Sequence, residues 1–254
     1  LDKDFKASLS KVPEVTLMFW IVKILATTLG ETGGDALSMS LKLGYALSTV
    51  ILLVPFFVLV AIQIKAKRFH SGLYWAVIVG TTLAGTTMAD FADRSLGVGY
   101  PGGATILFAL VIASLLVWKW SVGTVSVNNI VTPKAEIFYW VTILFSNTLG
   151  TALGDWTSES TGFAGGIYLF FGLIGVVALL YFFTKISRTL LFWAAFILTR
   201  PLGANMGDFL TKPHDQQGLN LSRFVASGVI AVAMILLLIV VPQKAGYHPG
   251  EEAQ

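Results

Sequence analysis

The pattern aromatic, Trp, nine residues, Gly, four residues, Asp occurs four times with identical spacing. The copies are Phe19-Trp20…Gly30…Asp35, Tyr74-Trp75…Gly85…Asp90, Tyr139-Trp140…Gly150…Asp155 and Phe192-Trp193…Gly203…Asp208. A fixed recurrence of this kind means four copies of one structural unit, none of which buries its apolar face alone. Matching residues of the copies should therefore meet at matching depths. The Trp-to-Trp intervals of 55, 65 and 53 residues make the second connection the longest. They divide the chain into two halves, 12–120 and 134–242, joined by the segment 121–133.

Around the motif the chain is apolar. Hydrophobic residues make up 55% and charged residues 12%, with a mean hydropathy of +0.77. This excludes a soluble globular enzyme, a disordered chain and a collagen. Cys is 0, which removes disulfides, thiolate metal sites and thiol redox chemistry. A bilayer core about 30 Å thick needs roughly 20 apolar residues per helix. Such windows fall near 14–36, 43–64, 73–92, 103–120, 134–156, 164–184, 188–210 and 222–242. They lack the period-two alternation of a membrane barrel, so the expected fold is all-α, an integral membrane protein with eight transmembrane helices. A single membrane domain over 1–254 is built from four parallel two-helix repeats, as occurs in some transporters.

The net charge of +3 is carried by cations at the ends of apolar segments rather than on one face, which argues against nucleic acid as a partner. Lys3, Lys6, Lys11, Lys65, Lys67, Arg68, Lys119, Lys134, Lys185, Arg188 and Lys244 fall on one side of the eight-span scheme. Lys42, Arg94, Lys212 and Arg223 fall on the other. The excess marks the cytoplasmic side and puts both termini there. The first apolar run is long, contains Lys23 and lacks a small-residue cleavage site, so it reads as a span rather than a signal peptide.

Helical periodicity groups polar residues on the odd spans. Span one carries Lys23, Thr27, Glu31, Asp35 and Ser38. Span three carries Thr82, Thr86, Asp90 and Asp93; span five Asn147, Thr151, Asp155 and Ser158; span seven Arg200, Asp208 and Thr211. The even spans are almost uniformly apolar. Ionisable groups within a membrane face a bundle interior or a water-filled cavity, which predicts a polar inner ring of odd helices inside an apolar outer ring of even ones. At 1.5 Å per residue each Asp stands about 22 Å beyond its Trp, towards the outer end of the slab.

Carboxylates with Thr, Ser and Asn oxygens suit a hard divalent cation such as Mg²⁺, Ca²⁺ or Mn²⁺. The three histidines, His70, His214 and His248, stand in predicted loops or the tail, although His214 and Asp215 could collect ions at the outer mouth. Four converging aspartates repel one another, so some carry protons until a cation displaces them. Arg200 lies about one turn from the level of Glu31 and should pair with it, leaving Lys23 as a cytoplasmic-side gate or counter-charge.

Plainer readings stand beside these. The Trp quartet reads as an aromatic belt at the membrane interface. Gly30/Gly34, Gly85/Ala89, Gly150/Gly154 and Gly203/Gly207 read as small-xxx-small helix contacts. The aspartates also suit helix caps or counter-charges to Lys23, Arg200 and Arg94. Asp93 and Glu159, near the outer loops, read as solvated.

From Val12-Pro13-Glu14-Val15-Thr16 through Phe19-Trp20, Lys23, Thr27-Thr28, Gly30-Glu31 and Asp35, the chain resembles an uncharacterised family of bacterial multi-pass membrane proteins known only as membrane-anchored. The resemblance runs over nearly the whole chain and implies a bacterial inner-membrane location. It brings no activity or site with it.

The leading expectation is a secondary transporter of a manganese-like divalent cation, proton-coupled, with export the direction that fits the titration argument. Its ligands would be Asp35, Asp90, Asp155, Asp208 and Glu31. Lys23, Thr27, Thr82, Thr86, Asp93, Asn147, Thr151, Arg200 and Asn205 would line the pathway. The cation and protons are then ligands, the lipid bilayer is the remaining partner, and no prosthetic group is expected. A proton-coupled carrier of a small organic solute is the alternative, with Lys23 and Arg200 recognising an anionic group. A non-transporting scaffold or regulatory subunit is the third. An enzyme is not expected, because H-E-x-x-H and G-x-S-x-G are missing and no His falls in a span.

Overall fold

The computed structural model describes residues 11–246; Lys3, Lys6 and His248 lie outside them. Seven long helices account for most of the described residues. They are α1 (Leu17–Asp35), α2 (Tyr45–Lys65), α3 (Ser71–Asp90), α4 (Tyr100–Val122), α5 (Pro133–Phe183), α6 (Arg188–Thr211) and α7 (Arg223–Val240). Among the described residues there is no strand, only an isolated antiparallel bridge between Pro13 and Ala245 that brings the two ends of the described segment together. The α1 start is set by Thr16, whose side chain accepts from the Phe19 backbone N–H. That of α5 is set by Thr132, which accepts from Ala135 N–H, with Pro133 leading the first turn. Both are the short polar caps that free helix N–H groups require.

Five helical segments are long and apolar enough to cross a membrane: Tyr45–Lys65, Ser71–Ser95, Tyr100–Val122, Pro133–Phe183 and Arg223–Val240. Helices α1 and α6 are not among them; α1 carries Lys23, Glu31 and Asp35, and α6 carries Arg188, Arg200 and Asp208. The 51 residues of α5 would span about 76 Å as a straight helix, more than twice a bilayer core. It is not straight throughout: Gly162 has φ 70° and ψ 169°, a left-handed conformation that glycine adopts without steric cost. A side-chain carbon there would also collide with Gln217.

The helices that carry the motif are buried among one another. α1 packs on α3, α3 on α5, α5 on α6, and α6 on α1, so their contacts close on themselves. α2 lies on α3, α4 on α5, and α7 on α1. Large apolar side chains such as Phe57, Leu116, Phe182 and Val240 point away from the molecule.

One notch, used four times, sets the spacing. A side-chain carbon on Gly30 would run into Thr82, on Gly150 into Arg200 and on Gly203 into Thr27, and on Gly85 it would press tightly against Asn147 and Thr148. Thr27, Thr82, Asn147 and Arg200 each stand seven residues after their Trp. Each motif glycine thus receives the same position of the next repeat, and the fourth receives the first. The small-residue spacing is a helix-contact device.

The aromatic pairs follow the same order. Phe19 meets Trp75 at 5.5 Å between centroids, Tyr74 meets Trp140 at 5.6 Å, Tyr139 meets Trp193 at 6.3 Å and Phe192 meets Trp20 at 5.7 Å. The expectation of an aromatic belt at the interface is corrected in the way its rings face: Trp75, Trp140 and Trp193 are buried and Trp20 is half-buried, so the quartet packs inward as an aromatic layer at one end of the bundle. Periodicity gives the depth of a residue along a helix but not which way that face turns.

Candidate functional site

Above the aromatic layer the interior turns polar, four residues at a time. Lys23 has no exposed surface. Its Nζ donates to Asn147 Oδ1 at 3.4 Å and lies 4.0 Å from the centroid of the Phe196 ring. Asn147 in turn donates from Nδ2 to Thr81 Oγ1 at 2.7 Å. Lys23 makes no ion pair among the described residues, so the attraction to the ring and one long hydrogen bond hold it.

The next layer centres on Arg200, also fully buried. Its Nη2 donates to Glu31 Oε2 at 3.0 Å, to Thr86 Oγ1 at 2.6 Å and to Thr151 Oγ1 at 2.6 Å. Glu31, Thr86 and Thr151 all stand eleven residues after their Trp; the fourth such position is Ala204. The guanidinium thus fills the place its own repeat leaves without a polar group. The pair with Glu31 is the one anticipated from helical rise.

The four motif aspartates are all buried, and cations hold them in two sets. Arg94 lies 2.8 Å from Asp90 through Nε and 3.1 Å from Asp155 through Nη2. Lys212 Nζ lies 2.8 Å from Asp35 and 3.0 Å from Asp208. Arg223 Nε adds a longer approach to Asp35, at 3.6 Å. Lys212 sits just beyond α6. Burial opposes its charge, but Asp208 and Asp35 outweigh burial and hold the ammonium well above the ordinary lysine range. Helices α1 and α3 pass from Asp35 and Asp90 into π-helical turns, Ala36–Ser40 and Phe91–Ser95, irregularities that gather at functional sites. The second turn carries Arg94 back over the aspartates.

One oxygen each from Glu31, Asp155 and Asp208 lies within 4.8 Å of the others. These three buried carboxylates come from three different repeats. A cavity of about 580 Å³ opens onto two of them, Asp155 and Asp208, and is lined also by Arg94, Tyr100, Glu159, Lys212 and Asp215 among others. Its wall includes Gly162, at the break in α5. The site is thus reached from the end of the bundle opposite the aromatic layer.

Of the five expected ligands, Glu31, Asp155 and Asp208 converge. Asp35 and Asp90 join them through Lys212 and Arg94 instead of sharing the trio. Thr86 and Thr151 serve Arg200. Thr27 and Thr82 fill glycine notches and donate to backbone carbonyls of Thr199 and Ala26. Asn205 turns towards α5, donating to Pro201 O at 2.9 Å and Gly154 O at 3.4 Å. Asp93 is corrected from solvated to buried; it packs against Gly103, where a side chain would collide with it. Glu159 is exposed, as expected.

The partner missing from the sequence reading is Lys212, which counts there only as a topology charge; Arg94 stands there as a counter-charge to the aspartates, but not as a clamp between two of them. A signal was present. Both stand four residues after a motif Asp, the spacing at which helical side chains meet.

The family model described as Repeat of Unknown Function (DUF347) matches the chain four times, over residues 18–69, 73–124, 138–187 and 191–242, and the chain belongs to that family. Each match begins one residue before a motif aromatic, so the family's unit and the repeat read from spacing are the same. No curated protein and no solved structure is similar enough to the chain to match.

Proposed function

We propose that this four-repeat protein is a membrane carrier that exchanges a hard divalent cation, Mn²⁺ or a similar ion, against protons, and that Glu31, Asp155 and Asp208 hold the ion. The observation that carries the reading is the convergence of three buried carboxylates within 4.8 Å, two of which, Asp155 and Asp208, line a polar vestibule. Oxygen ligands of this kind suit hard cations. Around the site stand five carboxylates, Glu31 and the four motif aspartates, against four paired cations, Arg94, Arg200, Lys212 and Arg223. The excess is negative, which favours a cationic guest, or a proton when the ion has left.

The break at Gly162 divides α5 into two passes, giving eight spans. The motif helices form a polar inner ring and the remaining passes an apolar jacket. The halves 12–120 and 134–242 are then equivalent, because the cation four residues after the Asp occurs in the second repeat of each. Arg94, Lys212 and Arg223 are tied to aspartates, which leaves Lys42 alone on the vestibule side. The positive-inside rule accordingly assigns the aromatic end and both chain ends to the cytoplasm, and the vestibule to the outside.

A second reading, a carrier of a small organic anion, draws on Arg200, whose Nε and Nη1 are buried without hydrogen-bond partners, and on the unpaired Lys23.

Purified protein in liposomes separates the two. With Mn²⁺ outside and a metal-quenched dye inside, wild type moves Mn²⁺ in step with a counterflow of protons, and Asp155→Asn and Asp208→Asn abolish the flux. No flux of Mn²⁺, Ca²⁺ or Mg²⁺, with uptake of a radiolabelled carboxylate lost in Arg200→Met, would move the assignment to the second.

A further inference from the structure

Each carboxylate of the trio has its own cation: Arg200 for Glu31, Arg94 for Asp155 and Lys212 for Asp208. The three cations differ in freedom. The Arg200 side chain has no exposed surface and is fixed by three hydrogen bonds. The Arg94 side chain is 35% exposed and that of Lys212 10%, and both line the vestibule.

Arg94 and Lys212 are also equivalent in the repeat. Each clamps the Asp of its own copy to that of the following one, Asp90 to Asp155 and Asp208 to Asp35. The matching positions of the first and third copies are Met39 and Glu159, so the clamp occurs on alternate copies. Asp35 Oδ1 remains buried with no hydrogen-bond partner.

We propose that Arg94 and Lys212 are tethered counter-cations, which an incoming divalent ion displaces from Asp155 and Asp208, and that they thereby decide which guests the site accepts. The reasoning is electrostatic. A monovalent guest gains no more attraction from Asp208 than Lys212 already supplies, and it must also free the lysine. A divalent ion doubles the Coulomb attraction at the same distance and can win the exchange. Both side chains have somewhere to go. Vestibule water receives the ammonium, and the Tyr100 ring, whose centroid is 5.7 Å from Arg94 Cζ, offers the guanidinium a face to stack on. This inference rests on the carrier reading and supplies its selectivity.

Mn²⁺ titrations of the full-length protein in detergent test it, comparing wild type with Lys212→Met and Arg94→Met and recording the melting temperature of each. Both variants bind Mn²⁺ at least about tenfold more tightly than wild type, and K⁺ competes in the variants but not in wild type. Mn²⁺ binding by wild type, with equal or weaker binding by variants that melt normally, overturns the tethered-cation role and leaves the carrier reading standing. No binding by wild type or either variant removes the carrier reading itself, and this inference with it. If the methionine variants do not fold, Lys212→Arg answers the same question. A guanidinium fork grips two carboxylates harder than an ammonium, so Mn²⁺ affinity falls, and unchanged or tighter binding is the contrary result.

Discussion

Arg200 shows how a single side chain can organise a membrane interior. It threads the Gly150 notch and ties Glu31, Thr86 and Thr151 to α6. Removing one partner of a buried pair leaves the other charge uncompensated, at a cost of roughly 3–5 kcal/mol. Arg200→Met should therefore lower unfolding stability in detergent by about that amount. Arg200→Met combined with Glu31→Met should recover a large part of it. A double variant no more stable than the single one would show that the hydroxyl contacts, not the ion pair, dominate. The Arg200–Glu31 pair was legible in the sequence because the two positions fall one turn apart on helices of known rise. Arg94 was legible as a counter-charge but Lys212 was not, although both stand four residues after a motif Asp. Residue count places both cations past the apolar windows, and it does not reveal that each bridges its own Asp to that of the following copy.

At the scale of the element, glycines divide into two kinds that sequence alone does not separate. Gly30 and Gly203 face the backbones of Thr82 and Thr27, with a carbonyl carbon 2.9 Å from where a side-chain carbon would sit; Gly172 and Gly175 face open space. Gly30→Ala and Gly203→Ala should each cost about 1–3 kcal/mol through overpacking. Gly172→Ala should gain up to about 1 kcal/mol from helix propensity. Thermal unfolding of the three variants ranks them, and equal melting points would refute the interlocking notch.

The first two copies also share a turn, in which Lys42 occupies the place of Gly97. Their φ values are 56° and 71°. Lys42→Gly, at an exposed site, should stabilise by about 1 kcal/mol by relieving the left-handed strain, measured in the same assay. Outside α5 the helix positions were legible to within a few residues, because bilayer-length apolar windows leave little choice; the windows 134–156 and 164–184 both fall on α5. The direction in which each face turns was not, and the facing of the Trp quartet was misread for that reason.

Over the whole molecule, fourfold spacing in the sequence becomes a closed set of contacts in which each copy's glycine and aromatic meet the next copy. The charges do not keep that fourfold rule. Glu31, Arg200 and Lys23 each occur in one copy, and the cation after the Asp occurs in two. A scaffold repeated four times thus carries a carboxylate trio drawn unequally from three copies, and that inequality was legible only once the copies were placed side by side. The central claim is that Glu31, Asp155 and Asp208 hold one divalent ion inside this scaffold. Equilibrium Mn²⁺ binding to the purified protein tests it most directly, in wild type, Asp155→Asn, Asp208→Asn and the vestibule-wall variant Glu159→Gln. The account predicts one ion per chain in wild type and Glu159→Gln, with affinity at least about tenfold lower in the two aspartate variants. A wild type that binds no divalent ion, or aspartate variants that bind it undiminished, would contradict it.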